Sequence, residues 1–396
     1  MTNFGLRIAD CGLQRSRVAC GRSTRVIRNP KSTIRNRQAL TLVELMVAIA
    51  IMGILASLLL GAAAVASEVA RNARSKSLVA RLHTLLIERY DGYRNHRVEL
   101  NARDGNGNNI IDWIELLGID TNPSDSLSDY TGLPVMASNN RLIQPAGRLA
   151  GLRETMKFEM PDRWSDILGV EVPSNPAVIP PAAVVPPRFL QRSPSLRDTY
   201  LRAYNRMIAV TTDREKILEN ESAECLYLIV MNATGDGEAR GMFKPNDIGD
   251  TDEDGAPEFL DGWGKPISFL RWAPGFDSDA QLSVASLTRT ANNPRLGANV
   301  VAEQLLEEHD PFDLFRIDPL PNSGLVRGWR LLPLVISGGG DEEIGVRTLS
   351  GENYVATLNP YTDLGSATFL GQALDNDSER AADDITNHNV GELSRK

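Results

Sequence analysis

Residues 39–66 read ALTLVELMVAIAIMGILASLLLGAAAVA, and Glu44 is the single charged side chain among them. From Leu45 to Ala66 run 22 residues without a charge. At a rise of ~1.5 Å per residue, a helix of that length matches the ~30 Å hydrocarbon layer of a bilayer. Lipid cannot satisfy free backbone groups, so an isolated span of this kind has to be helical. Upstream, residues 1–39 hold nine Lys/Arg and one acid, Asp10. That asymmetry keeps the head on the cytoplasmic side and sends the rest of the chain across. Residues 40–396 carry 33 basic against 50 acidic side chains, a balance that disfavours nucleic acid as the main partner and suits multivalent cations.

Downstream, the apolar pattern turns one-sided. Leu78, Leu82, Leu85, Leu86, Tyr90 and Tyr93 share a face, while Arg71, Arg74, Lys76, Arg81 and Arg89 lie largely elsewhere. No proline interrupts residues 40–93, so the pattern predicts one long helix, lipid-embedded first and amphipathic afterwards. Gly53 and Gly61 within it read as points of close helix packing. Glu44 needs a partner or an interfacial position, because a carboxylate inside a membrane helix costs ~2.5–3.5 kcal/mol on insertion scales.

The run Arg37-Gln38-Ala39-Leu40-Thr41-Leu42-Val43-Glu44-Leu45 resembles the processing site of type IV prepilins and type II secretion pseudopilins. What the resemblance implies is a cut by prepilin peptidase between Ala39 and Leu40, a methylated Leu40 as the new first residue, and Glu44 at the fifth mature position. It also implies that Glu44 pairs with the terminal amine of a neighbouring subunit in the assembled fibre, making the charge a register device. Ala39 stands where the family usually has glycine, and Leu40 where it has phenylalanine. A rival route is ordinary signal peptidase acting at Ala64-Val65-Ala66 before Ser67, which would release a soluble product.

The outer part reads as α+β. Seven prolines between Pro173 and Pro194 form an extended segment and the clearest internal boundary. Helical patterns follow at Leu196–Ile208 and Arg214–Met231, with Ile217, Leu218, Cys225, Leu228 and Ile229 as core candidates. Strand-like runs come at Pro266–Trp272, Leu331–Ile336 and Tyr354–Leu358. The organisation expected is a leader (1–39), a membrane half of the helix (40–66), its amphipathic half (67–94), an insertion (95–195), a pilin-like α+β domain (196–370) and an acidic tail (371–396). The expected fold is thus a long N-terminal helix packed on an antiparallel sheet, with an insertion and calcium-type loops.

Three acidic loops carry the metal chemistry. In the first to be considered, Asp250, Asp252, Asp254, Glu258 and Asp261 occupy positions 1, 3, 5, 9 and 12 of a loop with Gly255 at position 6. That is the spacing of an EF-hand calcium loop, in which alternate side chains converge and the glycine permits the sharp turn. Asp104, Asn106, Asn108, Asp112 and Glu115 repeat the skeleton with fewer charges, with Asn109 at position 6. The third stretch, Ile336 to Gly345, is similar to the S-x-G-x-D-G loop of major pseudopilins. Asp261-Gly-Trp263-Gly264-Lys-Pro266 resembles their D-x-W-G-x-P turn, and Asp383-Asp384-Ile385 their acidic D-I stretch. By that resemblance Asp341 and Asp383 or Asp384 are calcium ligands.

These readings point to a structural subunit with no catalytic residues. It would be held in the inner membrane by a single pass, with the leader cytoplasmic and the outer domain periplasmic, and then drawn into a pilus-like fibre, most simply of a type II secretion-like system. The expected partners are other pilin or pseudopilin subunits, prepilin peptidase, the assembly platform in the inner membrane, and lipid. Ca2+ is the expected cofactor. The alternatives are a calcium-stiffened surface adhesion module, or a membrane-tethered enzyme using pairs such as Glu221/Glu224 or Asp252/Asp254. Glu221 and Glu224 read as ordinary decoration of a helix surface. The enzyme class has little support: the chain has four His, no H-x-x-x-H, and no G-x-S-x-G, P-loop or dinucleotide-binding glycine pattern. Cys225 is the only cysteine outside the head, so a processed chain has no internal disulfide.

Overall fold

The computed structural model describes residues 41–100, 140–176, 184–233, 238–283, 308–315, 328–348, 358–361, 368–374 and 383–390. The leader, the loop at 104–115 and the start of the run at Tyr354 fall outside them. The chain divides into two compact units, Met1–Leu60 and Gly61–Lys396.

Helix α1, Leu42–Gly92, is continuous, as the absence of proline requires. In the first unit its apolar side chains are exposed on every side, Leu42 at 73% and Leu60 at 72%. A helix that is apolar all round has no solvent face, and its surface must be covered by lipid or by other helices. In the second unit the same helix turns amphipathic: Ser75, Leu78, Val79, Leu82, Leu86 and Tyr90 are buried, at the three-and-four spacing of one helical face.

That face enters the main core. It shares an apolar cluster with Leu149, Leu152 and Met156 of α2 (Asn140–Glu159) and with Leu226, Ile229 and Val230 of a central helix described below. Phe269, Val335 and Ile385 of the sheet complete it. The sheet has three antiparallel strands: β3 (Ser268–Leu270), β4 (Leu334–Ser337) and β5 (Ile385–Thr386), in the order β3-β4-β5. Ser268 pairs with Ile336, and Ser337 with Ile385. A separate hairpin pairs β1 (Ile248–Gly249) with β2 (Glu258–Phe259). A short helix, α7 (Asn387–Val390), follows β5.

Two expectations change in detail. Residues 140–170 mix helical and extended signals in the sequence, yet α2 is a full helix of 20 residues and α3 (Trp164–Leu168) follows it. The stretch read as an insertion therefore supplies a core helix. After α4 (Ser195–Val210), the expected single helix over Arg214–Met231 is two, α5 (Arg214–Glu219) and α6 (Glu221–Ala233), broken at Asn220. The break has a local cause. The Asn220 carbonyl accepts from Ala223 N (2.8 Å) and Glu224 N (3.0 Å), opening α6, while its side-chain amide is engaged elsewhere, as described below. A second apolar cluster of Trp164, Tyr200, Tyr204, Ile217, Cys225 and Leu228 lies on the other side of α6. The far end of the proline-rich segment is tied to α2: the Glu154 carboxylate accepts from the amides of Arg188, Phe189 and Leu190 at 2.7–3.1 Å.

Arginines of α1 that face away from the core are also engaged. Arg74 Nη2 lies 2.9 Å from Asp247 Oδ1, and Arg81 Nη2 3.8 Å from Asp247 Oδ2. Burial alone would raise the Asp247 pKa, but the Lys244 amide and Arg74 together hold it below the usual carboxylate range.

Candidate functional site

At the start of α1, Thr41 and Glu44 form a reciprocal cap. Glu44 Oε2 accepts from Thr41 N (2.9 Å) and from Thr41 Oγ1 (3.1 Å), and Glu44 N donates to Thr41 Oγ1 (3.2 Å). Ser/Thr with Glu three residues later is the pairing that satisfies orphan amides at a helix start. Glu44 thus has a local role in helix initiation that the sequence reading did not assign. Ala39 and Leu40 lie outside the described residues.

The Asp250–Asp261 loop is built as a hairpin tip, flanked by β1 and β2 rather than by helices. Its tight winding comes from side chains folding back on the backbone. Asp254 N donates to Asp250 Oδ1 (3.1 Å) and Asp252 Oδ1 (3.3 Å), Gly255 N to Asp250 Oδ2 (3.0 Å), and Ala256 N to Asp254 Oδ1 (2.7 Å). Gly255 sits at φ +92°, the conformation its position in the loop demands. One oxygen each from Asp250, Asp252 and Asp254 lie within 4.8 Å of one another. Glu258, at the start of β2, is buried and accepts from Thr251 N and Oγ1 at 3.2 Å.

The structure departs from the EF-hand expectation at the twelfth position. The Asp261 carboxylate is used in a turn and a strand contact: Oδ1 accepts from Trp263 N and Lys265 N (both 2.9 Å), and Oδ2 from Ser337 Oγ (2.7 Å). In its place Glu224 comes in from α6, with an oxygen in a second group of three with Asp252 and Glu258, again within 4.8 Å. This corrects the reading of Glu221 and Glu224 as surface decoration: their exposures are 4% and 0%. Glu221 accepts from Trp164 N (3.1 Å), and Glu224 from Trp164 Nε1. The Asn220 amide bridges Thr251 Oγ1 (3.0 Å), Asp252 Oδ2 (3.1 Å) and Glu258 Oε1 (3.2 Å), joining the α5–α6 break to the loop.

Burial dominates the electrostatics of this cluster. It raises the pKa of Asp252, lifts Asp254 to about 6 and Glu258 to about 7, and pushes Glu224 well above its usual range, with the neighbouring carboxylates adding to each effect. Like charges brought together away from water favour protons or a cation.

The three segments whose resemblance to pseudopilins is stated above meet in space. Ser337 closes β4 against Asp261, and β5 brings Asp383 and Asp384 alongside. Asp383 Oδ2 accepts from Gly340 N (2.9 Å) and Asp341 N (3.1 Å), and Asp384 Oδ2 from Gly345 N (3.0 Å). Asp341 turns its own Oδ1 to Glu343 N (2.9 Å). Asp383 Oδ1 and Asp384 Oδ1 are buried without a donor. Burial, with Asp383 and Asp341 adding to it, lifts Asp384 to about 7. Asp104, Asn106, Asn108, Asp112 and Glu115 lie outside the described residues.

Residues 34–60 match the family model for the prokaryotic N-terminal methylation motif. No curated protein and no solved structure matches the chain. The N-terminal segment is therefore of the type IV pilin-like kind that prepilin peptidase processes, and the long apolar helix behind it is compatible with a single-pass membrane anchor.

Proposed function

We propose that this chain is a structural, non-enzymatic subunit, a pseudopilin or pilin-like protein, assembled through α1 into a pilus-like fibre of a type II secretion-like system. The observation that carries the reading is the methylation motif at 34–60 running into a helix whose apolar surface is bare all round from Leu42 to Leu60. Prepilin peptidase cuts between Ala39 and Leu40, and the assembly platform then extracts the subunit from the inner membrane with its outer domain in the periplasm. The bare helices pack against those of other pilin or pseudopilin subunits. The described contacts of the Glu44 carboxylate both fall on Oε2, which leaves Oε1 for the methylated amine of a neighbour's Leu40. That pair offsets the ~2.5–3.5 kcal/mol cost of the carboxylate in lipid and fixes the axial register. The meeting of the Asp261 turn, the Ser337 loop and Asp383-Asp384 supports the likeness to major pseudopilins, with calcium stiffening the loops. A Glu44→Leu variant tests the assembly step: processing continues, while fibres in the sheared surface fraction fall at least tenfold. Normal polymerisation of that variant would contradict the proposal.

A further inference from the structure

Two overlapping triads of carboxylate oxygens, one from Asp250, Asp252 and Asp254 and one from Glu224, Asp252 and Glu258, share Asp252, and each fits within 4.8 Å. Ca2+ binds oxygens at about 2.3–2.6 Å, so ligands on opposite sides of one ion stand about twice that distance apart, close to the 4.8 Å within which each triad falls; Mg2+, at about 2.0–2.1 Å, needs a tighter cage. The donors that reach the cluster are neutral: backbone amides, the Asn220 amide, the Thr251 hydroxyl and the Trp164 indole. Lys216 Nζ donates to the Asp252 backbone carbonyl (3.0 Å) and not to a carboxylate. Among the described residues no ion pair joins any of the five acids to Lys or Arg.

A second observation points to a ligand. Glu224 Oε1 and Asp254 Oδ2 are buried with no donor, in residues that are both 0% exposed. Buried acceptors left without a donor are rare and costly in folded proteins. Cys225 offers no sulfur ligand here, because it packs in the apolar cluster with Trp164 and Tyr200. An all-oxygen set selects a hard cation over a transition metal.

We propose that Asp250, Asp252, Asp254, Glu258 and Glu224 form one Ca2+-class cation site, in which Glu224 of α6 takes the closing role expected of Asp261 and the ion ties α6 to the β1–β2 hairpin. The site stands apart from assembly, since a subunit that never polymerises would hold the ion equally well. The competing arrangement is a proton shared between Glu224 and Asp254.

The test uses the full-length chain in detergent, titrated with Tb3+ alone and excited at tryptophan. The Trp164 indole bonds to Glu224, so an ion at this site receives energy from it. The expected result is sensitised emission that Ca2+ competes away, that Trp164→Phe reduces severalfold, and that Asp384→Asn leaves in place. Glu224→Gln should weaken Ca2+ binding at least tenfold, lower the melting temperature in Ca2+, and leave it equal or raised in chelator, because it removes one buried charge. If Glu224→Gln does not fold, Asp252→Asn carries the same expectation. Absent emission from the wild type, emission untouched by Trp164→Phe, or a Glu224→Gln protein that binds and melts like wild type would each overturn the proposal. The last of these results is what a shared proton predicts.

Discussion

Glu221 is a carboxylate three residues from Glu224 with a separate role. Burial lifts its pKa to about 8, against a moderating pull from Arg163 and the Trp164 amide it accepts. A folded-state value above the unfolded 4.5 stabilises the protonated form, so that stabilisation is complete below about pH 4.5 and is lost as pH rises through about 8. Glu221→Gln keeps the shape and the acceptor for Trp164 N. It should match wild type near pH 5 and exceed it by on the order of 4 kcal/mol near pH 8.5 in denaturant unfolding; equal stability at both pH values would refute the assignment. At this scale the sequence is legible in part. The Asp250 loop declares itself because its ligands are local and its glycine has a geometric duty. Glu224 is hidden because acids at i and i+3 look the same on a solvated helix face and on a buried one. One signal was present: ESAECLYLIVMNA is apolar on nearly every side beyond its acids and Asn232, and such a helix is buried all round, acids included.

Among the elements, α1 is the most legible, because its apolar period survives over many turns and no proline interrupts it. Leu82 is fully buried in the main core, so Leu82→Ala should destabilise the protein by about 2–5 kcal/mol, read as a lower urea midpoint. A change below about 1 kcal/mol would mean that α1 is not packed as described. The turn after β2 tests the same contact from the other side. A Cβ added at Gly262 would run into the carbonyl of Arg71, and Gly262 N donates to Ser75 Oγ at 2.7 Å. Gly262→Ala must therefore push the turn off α1, and the expected outcome is a drop of several degrees in melting temperature. An unchanged melting temperature would show that the turn stands off. By contrast, α2 is poorly legible. Its Arg153, Glu154 and Lys157 are buried, so its core-facing pattern is masked by charge. Those charges have distant partners, among them Asp310 at 2.8 Å from Arg153 and Asp166 at 3.4 Å from Lys157.

For the whole molecule, a bare apolar helix with a methylation motif at its start leads into an α+β body whose acidic loops gather carboxylates from distant parts of the chain. The class of fold follows from local pattern: a long helix, then short strands separated by Gly/Asp turns. The assembly of the sites does not, because Ser337 with Asp261, and Glu224 with Asp252, meet only through long-range packing. The single reading on which the rest depends is where the chain begins after processing. Intact-mass and N-terminal peptide spectrometry of the protein recovered from its native envelope measures that directly. The expected product is a chain starting at Leu40 that carries one N-methyl group; a chain starting at Ser67, or one retaining Met1, would contradict the proposed processing.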